Sequence, residues 1–154
     1  VDFQLSLSSE SVGATQPDTP LATAPDEPLA NVLGLLRAQK QAAVMVCDGA
    51  KLVGIFTERD ALRLLAEGAD LAAPVSSAMS TDLMTIRPET TVGQAIRLMS
   101  EGGYRHLPVV DPDDSPTGVV AVRGIVHYLV EHFPDAVYTQ SPTGDRPTAE
   151  REGA

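Results

Sequence analysis

The chain is poor in cysteine, in basic residues and in long apolar runs, and each shortage excludes something. Its one cysteine, Cys47, cannot form an internal disulfide, so the fold must stand without one and suits a reducing compartment. Eleven Lys and Arg face 21 Asp and Glu, a formal net charge of −10. That balance argues against a surface that grips nucleic acid or an anionic membrane, since both require a basic field. No apolar run approaches the roughly 18 residues of a membrane-spanning helix. The first residues alternate in polarity and lack the apolar block of a signal peptide. The chain starts at Val1 rather than Met, which leaves room for residues upstream. The three histidines, His106, His127 and His132, show no metal-ligand spacing with Cys47. There is no Walker-type Gly-Lys-Ser/Thr loop and no nucleophile–base–orienter set, so the chain is expected not to be an enzyme.

What is present suits a packed domain. Of 154 residues, 43% are hydrophobic and 21% charged. Twelve Gly and 12 Pro punctuate many short elements without the excess that marks a disordered chain. Apolar residues at 1, 3, 5 and 7 predict a short strand over residues 1–8. A polar connector with Pro17 and Pro20 follows.

The most informative feature is an internal repeat. A shift of 63 residues places Pro25 on Pro88, and Leu29, Val32, Leu33 and Leu36 on Val92, Ala95, Ile96 and Met99. Val46 and Asp48 fall on Val109 and Asp111. A further single-residue insertion then aligns Gly54, Arg59 and Leu65 with Gly118, Arg123 and Leu129. Two similar halves packed on each other are expected. Each half reads as an extended segment, a helix with apolar residues at i, i+3, i+4 and i+7, a buried strand, a turn, a second strand and a closing helix. The strands are expected at 43–47 and 52–56, then 107–110 and 118–122. The first turn is Asp48-Gly49, a hairpin signal. The second is the longer run 111–116, a solvated acidic loop. The closing helices are expected at 58–67, before Gly68, and at about 124–132, before Pro134.

The order β-α-β-β-α, twice, with Gly-Ile-Phe-Thr-Glu-Arg-Asp at 54–60, resembles the CBS domain. His-Leu-Pro-Val-Val-Asp at 106–111 and Gly-Val-Val-Ala-Val-Arg-Gly at 118–124 resemble its partner, so the chain looks like a tandem CBS pair, or Bateman module. The resemblance implies an α+β fold of two repeats related by pseudo-two-fold symmetry, each a small three-stranded sheet with two helices. The division is then 1–14, an N-terminal strand and connector; 15–68, repeat 1; 69–80, a linker; 81–133, repeat 2; and 134–154, a mobile tail. It further implies a regulatory, cytoplasmic sensor of adenine nucleotides (AMP, ADP or ATP), homodimeric and acting on an effector protein. The alternative is a ligand-free dimerisation scaffold.

The residues themselves suit that chemistry. The Asp60 carboxylate could accept both ribose hydroxyls as charge-assisted hydrogen bonds. The helix beginning near Glu58 offers free N–H groups and a positive dipole end to a phosphate, with the Thr57 hydroxyl beside it. Thr57-x-x-Asp60 equally fits a capping box that needs no ligand. By resemblance, Arg105, His106 and Arg123 complete the phosphate site, while Leu83, Met84 and Ile86 receive the base. Ala121 and Gly124 stand where the second half would need Thr and Asp, and Gln41-Ala42-Ala43 stands where it would need the basic pair. One competent site and one degenerate cleft are therefore expected.

Overall fold

The computed structural model describes residues 7–132. Two strands and a helix pair recur in each half. In the first half, β1 (Ala22–Thr23) precedes helix α1 (Leu29–Gln39), the hairpin β2 (Ala43–Asp48) and β3 (Lys51–Thr57), and helix α2 (Glu58–Glu67). The second half holds α3 (Val92–Gly102), the hairpin β4 (His106–Val110) and β5 (Pro116–Ala121), and α4 (Val122–His132). The α+β repeat is as the sequence reads, with α4 beginning two residues before the expected start. The strand expected at residues 1–8 lies largely outside the described residues, and its last two described positions, Leu7 and Ser8, are helical. The tail from 134 onward also lies outside the described residues.

Local chemistry sets the boundaries. Gly68 and Gly103 take left-handed φ values of 67° and 75° and end α2 and α3. Thr91 and Gln94 form a reciprocal capping box at the start of α3. Helix α1 has Pro28 at its N-cap and no side-chain cap. Its first N–H groups instead donate to the linker, Leu29 to the Ala73 carbonyl and Ala30 to that of Leu71. Asp48 pairs with Lys51, leaving Gly49 and Ala50 as the hairpin loop, with Gly49 at φ 64°.

The two sheets are not equal. Three strands in the order β1-β2-β3 form the first, but only β4 and β5 form the second. The expected third strand there shrinks to a single parallel bridge between Ile86 and Val109. Two prolines explain the correction. Ile86 donates to the Pro108 carbonyl and accepts from the Val110 N–H. The next rungs would need an N–H from Pro108 on one side and from Pro88 on the other, and neither has one. In the first half the position matching Pro108 is Met45, whose N–H does reach the Leu21 carbonyl at 2.7 Å.

Side chains on β2 alternate between two cores. Val44 and Val46 face the helices of their own half, with Leu29, Val32 and Phe56. Ala43, Met45 and Cys47 face the other half and meet Val110 and Val119 there, with Leu83 packed alongside. A strand buried on both sides reads as an unbroken apolar run, as Ala43–Cys47 does. Burial also pushes the Cys47 thiol above its ordinary pKa, which suits a small core side chain.

The halves also exchange short segments. A 3-10 turn at Val12–Thr15, ahead of the first half, sends fully buried Val12 into the core of the second. Its backbone bonds run to Thr90 and Pro88. The turn Val75–Ser77 sends Val75 into the core of the first half, with bonds to Glu27 and Pro25. Each partner is the repeat equivalent of the other.

Candidate functional site

The site is built where β3 passes directly into α2. Thr57 holds extended φ and ψ and forms the N-cap. Its hydroxyl accepts from the Asp60 N–H at 3.3 Å, and its own N–H donates to Asp60 Oδ2 at 3.0 Å. The Thr57 hydroxyl lies 3.1 Å from the same carboxylate oxygen. The other oxygen, Oδ1, accepts from Arg63 one turn later at 3.3 Å. The Asp60 side chain is only 18% exposed, against 50% for Arg63. The sequence therefore makes the capping box it spells, and the carboxylate sits at the positive end of α2.

The basic candidates lie on the second half. His106 opens β4, paired with Ala121, and Arg105 precedes it. Burial lowers the His106 pKa; the Glu58 carboxylate on the first turn of α2 opposes that, and the Arg105 guanidinium reinforces it. An electrostatic influence of Glu58 on His106 places the start of β4 within reach of the N-terminus of α2. Glu58, on the turn that carries Thr57 and Asp60, is thus electrostatically coupled to His106 of the other half. Arg105 is exposed, and its carbonyl accepts from the Val122 N–H at 3.1 Å. Arg123 is exposed on the first turn of α4 and has no ion-pair partner among the described residues.

The three apolar candidates divide. Leu83 packs in the core between the halves, against the cluster that holds Ile55 on β3. Ile86 is buried and bonded to β4, and Met84 packs on the second-half core. Both line a pocket on the second half whose described lining includes neither Thr57 nor Asp60.

The repeat-equivalent junction, where Ala121 passes into α4, opens a cavity of about 340 Å³. Its walls include Ala121, Gly124, Asp18 and Glu131, with His127 the only lining side chain able to carry positive charge. Ala121 and Gly124 leave this junction without a hydroxyl or a carboxylate at the two motif positions. Gly54 and Gly118 match across the repeat because each backs onto a neighbouring segment. A Cβ on Gly54 would collide with the Met79 side chain, and one on Gly118 would press on Pro17 at 3.0 Å. Sequence reasoning did not single out Met79, although its place one repeat after Gln16-Pro17 carried the signal.

A β-α-β-β-α half and an α-β-β-α half, closed on each other through their strands and exchanging a buried turn, define a tandem pair of small α+β domains. The sequence profile of the CBS domain matches residues 15–67 and 75–131. The chain belongs to the CBS-domain family, as a tandem pair. It is 35% identical over 106 residues to the CBS domain-containing protein YhcV of Bacillus subtilis, covering 68% of this chain and 75% of YhcV. The CBS-domain protein ATU1752 of Agrobacterium tumefaciens superposes with a TM-score of 0.69 at 28% identity, covering 76% of this chain and 97% of that one. CBSX2, solved in complex with AMP, superposes with a TM-score of 0.69 at 27% identity, covering 79% and 97%. No helix among the described residues is long and apolar enough to cross a membrane.

Proposed function

We propose that this chain is a regulatory module that binds an adenosine nucleotide at the junction of β3, α2 and β4. The observation that carries the reading is the Thr57–Asp60 cap at the N-terminus of α2, set within electrostatic reach of His106 from the other half. Asp60 accepts the ribose hydroxyls, and the positive end of the α2 dipole with the Thr57 hydroxyl meets the phosphate. Arg105, His106 and Arg123 add positive charge, and Leu83, packed between the halves, supplies apolar surface for the base, while Met84 and Ile86 line the pocket on the second half. Support from outside the chain is the AMP held by CBSX2. The ligand is AMP, ADP or ATP. The junction at Ala121 and Gly124 is the degenerate partner. The module regulates rather than catalyses, acts in the cytoplasm and passes its signal to an effector protein.

Titration calorimetry with AMP, ADP, ATP and GMP tests this, using the wild type beside Asp60→Asn. Saturable binding of an adenine nucleotide that weakens tenfold or more in Asp60→Asn supports the reading. Equal binding by both proteins, or no binding at millimolar ligand, overturns it.

A second reading rests on the outer helices. Leu62 and Leu65 on α2 are 71% and 57% exposed, and Val126 on α4 is 54% exposed. Leu62 and Val126 are repeat equivalents, so a two-fold self-association would pair like with like. On this reading the module is a homodimer that scaffolds a partner protein without a ligand. Light scattering of the wild type and of Leu62→Glu/Val126→Glu tests it: a dimer that dissociates in the variant supports it, and a wild-type monomer overturns it.

A further inference from the structure

A further cavity lies at neither junction. It lies on the second half, between the segment Met84–Arg87 and the outer side of α3, with a volume of about 660 Å³. That is ample for a small organic ligand. Met84, Ile86 and Leu98 form an apolar floor. The Tyr104 ring closes the end near the C-terminus of α3 because residue 102 is glycine: a Cβ there would stand 2.6 Å from the ring's Cε2.

The rim carries opposite chemistry. Arg87 and Arg97 both line the cavity, in a chain with only 11 Lys and Arg and a net charge of −10. Arg97 has no ion-pair partner among the described residues, although Glu101 follows one turn later and also lines the cavity. Arg87 is held in place from two sides. Its N–H donates to Thr90 Oγ1 at 3.1 Å, and its guanidinium donates to the Asp111 carbonyl. A guanidinium has five donors in a fixed fork, so one bond to a carbonyl orients the group and leaves others free. Two arginines over an apolar floor suit an acid head on an apolar body.

We propose that this cavity is a second ligand site, separate from the nucleotide junction, for an amphipathic organic anion: a carboxylate or sulfonate carried on an aromatic or aliphatic body. The apolar part lies on Met84, Ile86 and Leu98 against Tyr104, and the acid group meets Arg87 and Arg97. A phosphate-rich ligand with little apolar surface would leave the floor uncovered.

The probe is 8-anilinonaphthalene-1-sulfonate, whose fluorescence rises on an apolar surface, with decanoate as competitor and the full chain as target. One saturable site displaced by decanoate is expected. Arg97→Glu should weaken the dye tenfold or more, and Leu98→Gln, which leaves the charge unchanged, should weaken it several-fold. Circular dichroism of both variants must match the wild type. Where either variant misfolds, Arg97→Gln replaces it, with a loss of several-fold expected. Asp60→Asn should bind the dye as the wild type does, and Arg97→Glu should retain any nucleotide response, so failure here and failure at the nucleotide site are distinguishable. Non-saturable fluorescence, or wild-type dye affinity in Arg97→Glu and in Leu98→Gln, overturns the proposal. Dye binding that appears only on dilution to monomer also overturns it and assigns the cavity to a second copy of the chain.

Discussion

Asp60 has two possible duties, and a single pair of substitutions separates them. In Asp60→Ala the Thr57 N–H loses its 3.0 Å partner, α2 loses a carboxylate from its first turn, and Arg63 loses its ion pair. Losing a cap contact costs about 1 kcal/mol. The charge at the helix terminus adds about 0.3–1 kcal/mol. The Arg63 pair adds little, because Arg63 is half exposed and the pair is solvent-screened. The sum of about 1–2 kcal/mol lowers the melting temperature of a chain of this size by about 2–8 °C. Asp60→Asn keeps an oxygen for the Thr57 N–H, so its loss should stay near 1 kcal/mol, or about 2–4 °C. A nucleotide at 100 times its dissociation constant stabilises by about 2.7 kcal/mol, or about 5–11 °C. Differential scanning fluorimetry with and without AMP or ATP reads both effects at once. If Asp60 holds ribose, Asp60→Asn melts slightly earlier and the nucleotide shift collapses. A melting point lowered in both variants with the wild-type nucleotide shift intact would refute the ligand role and leave Asp60 as a cap alone.

Three further outcomes are expected. Burial holds His106 below its ordinary pKa, so it is mainly neutral near pH 7 in the free protein. The unfolded chain takes up its proton first as pH falls through about 6.5, so this residue removes stability on the acid side of that point. An anionic phosphate would raise the same pKa, so nucleotide affinity should increase from pH 7.5 toward 6; calorimetry across that range should lose the slope in His106→Gln. The Tyr128 hydroxyl donates to Glu10 at 2.6 Å, and burial with that bond pushes its pKa up to about 12. Tyr128→Phe should cost about 1.5–3 kcal/mol in urea unfolding at pH 7, and the wild type should lose stability above about pH 10, where the unfolded phenol ionises first. Gly54→Ala drives a Cβ into Met79, and overpacking of this kind costs about 1–3 kcal/mol; a melting temperature within 1 °C of wild type would show that Met79 moves aside freely.

Much of the architecture was legible because it rests on short-range rules. The apolar spacing of Leu29, Val32 and Leu36 gave α1, and the same spacing one repeat later gave α3. Thr57-x-x-Asp60 announced a cap, and a cap is what formed. The third strand of the second half was not legible, because the rule that breaks it joins distant residues. Pro88 and Pro108 are 20 positions apart, and their missing N–H groups matter only once Ile86 lies beside β4. The start of α4 was placed late because Val122 reads as the end of the apolar strand 118–122, yet it opens the helix with its N–H on the Arg105 carbonyl. Met84 and Ile86 show the same limit at the site: their type was readable, but the cavity they line depends on where α3 crosses.

The sequence by itself determined the repeat, the order of elements, the caps and turns, and the asymmetry between Asp60 and Gly124. Each of these is a property of a residue and its near neighbours. Only the tertiary structure decided that Val12 is buried in the second half and Val75 in the first. Neither valine carries a local mark of its destination, since burial depends on which surface arrives to cover it. The same is true of Arg87 and Arg97, ten residues apart and ordinary in sequence, which line one cavity only because α3 folds back past the strand segment before it.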